Sequence, residues 1–264
     1  RRCGWSASRP RGNHRRVSAD VVFVPGFMQG PASWAPVSAR IARRYRPLAL
    51  DHRAHDLEGR LTEIEAATPP GAALVGYSLG GRLVLHAALR AAEDRGRFGA
   101  LVVVGTSAGI DDPVERGERR RADERLADWM ESSTIEDVVA HWEQVPALAG
   151  QGPELVAAQR ADRLAQDPAR LAELLRSAGQ GMLAPVWHRL PELDTPLLAL
   201  AGERDPLYRS AAERIATVAP RARALAIAGA GHAAHLEQPA AVAAALLDFL
   251  DEHLGERRLV HGDP

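Results

Sequence analysis

Residues 75–82 restrict the possible folds of this chain more than any other stretch, because they hold a serine between two glycines. They read Val-Gly-Tyr-Ser-Leu-Gly-Gly-Arg, which contains the pattern G-x-S-x-G with Ser78 at its centre. A short apolar run, residues 72–75, precedes the pattern, and a proline-free run of helix formers, residues 79–90, follows it. The sequence therefore predicts a strand, a sharp turn and a helix. The Ser78 hydroxyl is expected to project beyond the strand, at the positive end of the helix.

Apolar runs alternate with helical patterns around this motif. Four short runs predict buried strands, at residues 21–24, 47–51, 72–75 and 101–104. The stretches between them predict helices, at residues 31–44, 57–68 and 79–90. Such alternation is typical of a parallel sheet that is covered by helices on both faces. We therefore expect an α/β fold with a mostly parallel sheet.

The alternation stops after the fourth predicted strand. Residues 111–191 show no convincing strand and predict four helices, at residues 114–131, 134–142, 154–165 and 168–177. Strand and helix patterns resume at residues 196–201, 207–218, 223–228 and 239–253. An insertion at this place is expected to lie as a lid over the carboxyl ends of the strands, where ligands bind. The predicted organisation is a core of residues 20–110 and 192–254 with a helical lid of residues 111–191.

The composition argues against several classes of function. A formal net charge of −1 over 264 residues gives no reason to expect a nucleic acid partner. All 33 basic residues are arginine, so no lysine amine is available for Schiff-base chemistry. Cys3 is the single cysteine, which excludes an internal disulfide and argues against a zinc-cysteine site. No apolar run approaches the roughly 18 residues that a membrane span requires.

Polar segments begin and end the chain. Residues 1–19 are rich in arginine, contain no acidic residue and lack the apolar core of a signal peptide. We expect a disordered basic leader and a cytoplasmic location. Residues 255–264 are expected to form a polar tail, and nothing in the sequence favours one oligomeric state.

An acid and a base follow the serine in the order that the motif requires. A serine hydroxyl needs an imidazole to take its proton and a carboxylate to hold that imidazole. Asp205 comes just after the predicted strand at 196–201, and His232 follows the last predicted strand. Asp194 lies before the strand, at the wrong end of the sheet. We therefore predict Ser78, Asp205 and His232 as the catalytic residues.

Two backbone N–H groups are expected to form an oxyanion hole beside the serine. One belongs to Leu79, next to the serine, and the other to Phe27, in the loop after the first strand. Each such donor typically contributes about 3 kcal/mol to stabilising a developing oxyanion.

Histidines elsewhere in the chain raise the question of a metal. Residues 51–56 read Asp-His-Arg-Ala-His-Asp and offer possible ligands, but no second cluster with ligand spacing accompanies them. We expect no metal and no cofactor. His235, three residues after His232, is expected to have a structural role.

Further segments of the chain resemble one family. They are G-F-M-Q-G-x-x-S-W at 26–34, E-R-x-x-R-x-x-x-D at 115–123, W-x-Q-x-P at 142–146, R-L-x-x-D-P-x-x-L-A with L-R-x-x-G-x-G at 163–181, and A-G-H-x-x-H-x-E-Q-P at 230–239. With the extended motif G-Y-S-L-G-G-R, they make residues 21–250 similar to the 2-succinyl-6-hydroxy-2,4-cyclohexadiene-1-carboxylate synthases of menaquinone biosynthesis. These enzymes have the alpha/beta-hydrolase fold.

The resemblance implies a cofactor-free lyase rather than a hydrolase. The family eliminates pyruvate from 2-succinyl-5-enolpyruvyl-6-hydroxy-3-cyclohexene-1-carboxylate. It implies that Ser78, activated by His232 and Asp205, takes a ring proton beside the ketone, while the oxyanion hole holds the enolate. The substrate is a small polycarboxylate with three carboxylates, which arginine binds in a bidentate way.

The resemblance also assigns the substrate-binding residues by motif position. They are Tyr77, Arg82, Arg119, Trp142 and Arg163. Because Arg116, Arg120 and Arg121 flank Arg119, the position that faces the pocket stays open by one helical turn.

Two segments of the chain depart from the family pattern. Pro25-Gly26 replaces the usual His-Gly, and residues 51–56 keep only Asp51 and His55 of the usual D-x-P-G-H-G, so we expect a differently shaped loop and a possible change of substrate.

Two other functions are alternatives to the lyase. One is a carboxylesterase or carbon–carbon bond hydrolase of the same fold, and the other is a binding protein that uses the lid pocket. An arginine-lined pocket favours the lyase and an apolar pocket the esterase, whereas the complete set of Ser, Asp and His counts against the binding protein.

Overall fold

Six parallel strands form the centre of the structure. The computed structural model describes residues 19–148 and 150–254. The strands are β1 (Asp20–Val24), β2 (Arg46–Ala49), β3 (Ala73–Tyr77), β4 (Ala100–Val104), β5 (Leu197–Gly202) and β6 (Ala222–Ile227). They lie in the order β2-β1-β3-β4-β5-β6, and every neighbouring pair is parallel. The predicted α/β fold with a mostly parallel sheet is confirmed.

Helices connect the strands and cover both faces of the sheet. Within the described residues they are α1 (Ala35–Ile41), α2 (Leu57–Ala67), α3 (Leu79–Arg90), α4 (Pro113–Glu131), α5 (Ile135–Trp142), α6 (Pro153–Leu164), α7 (Pro168–Ala178), α8 (Pro206–Val218), α9 (Ala234–Glu237) and α10 (Pro239–Leu254). Short 3-10 helices lie at Pro31–Trp34, Pro146–Leu148 and Trp187–Glu192. No helix of the described residues is long and apolar enough to cross a membrane.

Alternating side chains of the strands supply two separate apolar layers. In β1, Val22 and Val24 belong to one buried cluster, and Val21 and Phe23 belong to the other. Side chains of successive strand residues point to opposite faces, so a run that is apolar throughout requires cover on both sides. This burial explains why β1, β3, β4 and β5 read as nearly continuous apolar runs in the sequence.

The four helices α4 to α7 lie between β4 and β5 in the chain and have an apolar core of their own. Helices α4 and α7 pack against each other, and Met130 and Leu175 are buried in the shared cluster. Met28, from the loop after β1, is buried in the same cluster. The insertion is therefore attached to the sheet through the loop that carries Phe27.

Several element boundaries differ from the prediction. The helix expected at 31–44 is a 3-10 turn followed by α1, which ends at Ile41. Pro31 and Pro36 explain the division, because proline has no N–H to donate and is tolerated only in the first turn of a helix. The short helices α9 and Trp187–Glu192 were not predicted. Residues 1–18 of the expected leader and residues 255–264 of the expected tail lie outside the described residues.

Candidate active site

Ser78 occupies the sharp turn between β3 and α3. Its backbone has φ 49° and ψ −111°, a conformation that residues other than glycine rarely adopt. A Cβ on Gly76 would lie 2.4 Å from the carbonyl oxygen of Gly80, and one on Gly80 would lie 2.3 Å from that of Val24. Both glycines are therefore required by close contact between backbones.

A chain of hydrogen bonds links Ser78 to His232 and Asp205. Ser78 Oγ lies 3.2 Å from His232 Nε2, and His232 Nδ1 lies 2.8 Å from Asp205 Oδ2. An ionised carboxylate can only accept, so it favours the tautomer in which Nδ1 donates and Nε2 accepts from the serine. The sequence-predicted residues are thus brought together in an arrangement suited to removing the proton from Ser78.

Backbone geometry holds the acid and the imidazole in place. Asp205 caps the N-terminus of α8 and accepts a hydrogen bond from the Tyr208 amide at 3.3 Å. Gly105 has φ +57°, and a Cβ there would lie 3.2 Å from the His232 ring. A larger residue at position 105 would therefore press on the imidazole.

A cavity of about 280 Å³ opens above Ser78. Its lining includes nearly every residue predicted for the site: Phe27, Tyr77, Ser78, Leu79, Arg82, Arg119, Trp142, Arg163 and His232. Asp205 is absent from the lining because it lies behind His232. The insertion contributes part of the cavity wall, and its Trp142 ring packs 5.2 Å from the ring of Phe27 in the loop after β1.

Arg82, Arg119 and Arg163 line this cavity, and they differ in their hydrogen-bond partners. Nη1 of Arg82 is buried and has no hydrogen-bond partner within the described residues. Arg119 donates from Nε to Asp123 and from Nη1 to Gln180, each at 2.7 Å. Of the four arginines between positions 116 and 121, only Arg119 is found in the cavity lining.

Burial changes the electrostatics of the cavity. It lowers the pKa of Arg82 to about 10, chiefly because the charged form loses water, so this guanidinium still carries its charge at neutral pH. The same loss of water lowers the pKa of Arg163. Burial raises the pKa of Tyr77 well above 10, so its hydroxyl remains a hydrogen-bond donor. The cavity therefore combines cations with neutral donors, a combination suited to binding anions.

Tyr208 and Gln29 also line the cavity but were not singled out from the sequence. The Tyr208 ring lies 4.5 Å from the His232 ring and covers one side of the imidazole. Tyr208 stands in the first turn of the helix that Asp205 caps. An aromatic residue three positions after the predicted acid was the available signal.

His235 is fully buried behind the cavity. Its ring lies between those of Trp34 and Tyr77, at 4.5 and 4.3 Å. Neither ring nitrogen has a hydrogen-bond partner within the described residues. Burial, with a smaller contribution from the charge of His232, lowers the pKa of His235 to about 3, so the ring is neutral.

Asp162 connects α6 to the loop that carries Phe27. Its Oδ2 accepts a hydrogen bond from the Gly30 amide at 2.8 Å. A Cβ on Gly30 would lie 2.6 Å from Asp162 Oδ1, so a larger residue there would displace this carboxylate. The neighbour of Asp162 on the same helix is Arg163.

The loop at residues 51–56 is held by a carboxylate. His52 Nδ1 lies 2.7 Å from Glu63, whose other oxygen accepts from the Arg53 and Ala54 amides. Burial lowers the pKa of His52 to about 4. None of these loop residues is found in the cavity lining. Within residues 19–148 and 150–254, no group of three or more His, Cys, Asp or Glu is placed to hold a metal.

Comparison with known proteins places this chain in a family. Residues 21–245 match the sequence profile of the alpha/beta hydrolase family. A 2-succinyl-6-hydroxy-2,4-cyclohexadiene-1-carboxylate synthase of Klebsiella pneumoniae is 35% identical over 181 residues, which cover 67% of this chain and 67% of that protein. The chain belongs to the 2-succinyl-6-hydroxy-2,4-cyclohexadiene-1-carboxylate synthase family of alpha/beta hydrolases.

Other members of the family extend the likeness. A Bacillus subtilis protein that is provisionally given the synthase name is 33% identical over 180 residues, and the chain spans 65% of the length of that protein. The structure of MenH from S. aureus superimposes with a TM-score of 0.82 at 26% identity, over 89% of this chain and 94% of that one. The family likeness therefore includes the helical insertion as well as the sheet.

Proposed function

We propose that the protein is a lyase of menaquinone biosynthesis. It would eliminate pyruvate from 2-succinyl-5-enolpyruvyl-6-hydroxy-3-cyclohexene-1-carboxylate and give 2-succinyl-6-hydroxy-2,4-cyclohexadiene-1-carboxylate. The observation that carries the proposal is the presence of Arg82, Arg119 and Arg163 in one cavity above Ser78. Three guanidinium groups match the three carboxylates of this substrate in number and charge. The names of the family members support the same substrate.

The proposed reaction begins with a proton transfer. His232, oriented by Asp205, takes the proton of Ser78, and Ser78 Oγ takes the ring proton beside the succinyl ketone. The electron pair of the broken C–H bond moves into the ketone, where the Phe27 and Leu79 amides stabilise the enolate oxygen. All of these groups belong to the protein, so the proposed step needs no cofactor.

The second step expels the enolpyruvyl group. The enolate re-forms the ketone, and its carbon–carbon electron pair forms a new double bond between the deprotonated ring carbon and its ring neighbour. The original ring double bond shifts by one position toward the enolpyruvyl group, and the bond from ring carbon to enolpyruvyl oxygen breaks, which leaves the two ring double bonds of the product. The departing electron pair leaves as the enolate of pyruvate, which becomes pyruvate by taking the proton held by His232; His232 is then neutral again and Ser78 keeps the former ring proton. The arginines hold the carboxylates so that the breaking C–H and C–O bonds stay aligned with the ring π system.

Pyruvate release tests the proposal directly. The substrate is generated in situ, and pyruvate is followed with a coupled dehydrogenase after subtraction of spontaneous elimination. We expect release by the unaltered protein, and none above the spontaneous rate from Ser78→Ala, whose fold is checked by circular dichroism. Retained activity in Ser78→Ala would refute the proposed role of the serine.

Ester hydrolysis is the second candidate, because the hydrogen-bonded chain from Ser78 to Asp205 is equally suited to acyl transfer. An acyl-enzyme gives a burst of product from an activated ester. A burst without pyruvate release would assign the protein to the esterases or carbon–carbon bond hydrolases.

A further inference from the structure

Arg163 faces the cavity but is already engaged by neighbouring side chains. Its side chain is 3% exposed. Nη2 donates to Gln159 at 2.9 Å, and Nη1 donates to Glu143 at the longer distance of 3.3 Å. Nε is buried without a hydrogen-bond partner in the described part of the chain. A carboxylate that arrives in the cavity therefore meets a guanidinium that is partly satisfied.

Glu143 lies between two arginines of α6. One carboxylate oxygen accepts from Arg163, and the other is in close contact with Arg160 Nη1. The two cations differ in environment, because Arg163 is buried and the side chain of Arg160 is 44% exposed. Glu143 follows Trp142, which forms part of the cavity wall. A single carboxylate is thus shared between the cation of the cavity and a cation at the surface.

The sharing of Glu143 has a consequence for binding. An anion that pairs with Arg163 comes close to the Glu143 carboxylate, and two like charges at short range repel each other. Arg160 reduces that repulsion, since it remains paired with Glu143 when Arg163 turns to the anion.

We propose that Glu143 is an internal competitor for Arg163, and that it sets the affinity of the cavity for carboxylates. Glu143 acts through Arg163 and does not touch the substrate, so it is a positioning residue. The inference rests on the proposed function to the extent that Arg163 binds a substrate carboxylate. It predicts that removal of the Glu143 charge strengthens the binding of an anion.

Calorimetric titration of succinate into the whole protein at low salt tests the proposal. Succinate is used because it carries the carboxylate of the succinyl arm. We expect Glu143→Gln to tighten succinate binding about fivefold, equivalent to about 1 kcal/mol. Glu136→Gln removes the same charge from an exposed position on α5 and is expected to leave the affinity unchanged.

Arg160→Gln gives an independent test at the protein surface. With Arg160 gone, Glu143 pairs with Arg163 alone, so succinate binding should weaken severalfold. The double variant Glu143→Gln/Arg160→Gln should bind as tightly as Glu143→Gln, because Arg160 acts only through Glu143. High salt should reduce all of these differences.

Several results would overturn the proposal. If Glu143→Gln weakens binding as Arg163→Gln does, Glu143 only braces the arginine. Equal affinities of Glu143→Gln and Glu136→Gln, or no binding of succinate to any variant, would also refute it. Failure of the unaltered protein to release pyruvate would refute the proposed function instead, and the titration would still show whether Glu143 opposes an anion at Arg163.

Discussion

His235→Phe should flatten the dependence of stability on pH. In the native protein the His235 ring is buried between two aromatic rings and its pKa is about 3, against an ordinary value of 6.5. Below pH 6.5 the unfolded chain takes up a proton at this residue and the native state does not. Stability contributed by the neutral ring is therefore complete above pH 6.5 and is lost as the pH falls toward 3.

The size of the effect follows from the two pKa values. Between pH 7 and pH 5, a histidine with a native pKa of about 3 and an unfolded value of 6.5 loses about 2 kcal/mol of unfolding free energy. Phenylalanine has no proton to take up, so the variant should lack this loss. The change in unfolding free energy between pH 7 and pH 5 is informative even if the larger ring alters the stability at both pH values. The cost of packing that ring does not depend on protonation.

Urea unfolding at pH 7 and pH 5, followed by circular dichroism, measures the two free energies. His188→Gln is the matched control, because His188 is exposed. The unfolding free energy of this variant should depend on pH as that of the unaltered protein does. An equal loss of stability in His235→Phe and in the unaltered protein would show that His235 is protonated in the folded state. The burial argument would then be wrong.

Two further predictions concern the binding site and the turn. Arg163→Ala should lower kcat/KM for the proposed substrate roughly 10- to 100-fold, the value of a charge-assisted hydrogen bond, while a neutral ester is affected far less. Equal losses on both substrates would make Arg163 a structural residue. Gly80→Ala should reduce the unfolding free energy in urea by about 3 kcal/mol, because its Cβ would lie 2.3 Å from the Val24 oxygen. Gly117→Ala is the control, since its Cβ would come no closer than 3.7 Å to Arg121, and an equal loss there would refute the steric argument.

Local sequence patterns predict the four central strands of the sheet well because these strands are buried on both faces, whereas the edge strands β2 and β6 are partly exposed. Residues 79–90 were expected as a helix, and α3 has the same ends. The signal was clear there, since the serine turn fixes the start and the helix has no proline. The 3-10 helix Trp187–Glu192 escaped prediction because it contains Pro191 and has no helical repeat of its own.

The site was predictable only where a motif marks the residue. Motif order was enough to single out Ser78, and the family resemblance was needed to select Arg163 among many arginines. Nothing local marks Glu143, whose contact with Arg163 arises because α6 packs against α5. Contacts between distant parts of the chain depend on packing, which a pattern of single residues does not contain.

The hydrogen bond between Asp162 and Gly30 joins the helix that carries Arg163 to the loop beside the serine. Asp162 and Arg163 are neighbours on α6, and Gly30 ends the loop that carries Phe27. If Arg163 binds a substrate carboxylate as proposed, any shift of α6 on binding would reach Gly30 through the side chain of the adjacent residue, Asp162. Under the proposed function, the helix of a carboxylate-binding arginine and the loop of an oxyanion donor are thus joined by a hydrogen bond from the Gly30 amide to the Asp162 side chain.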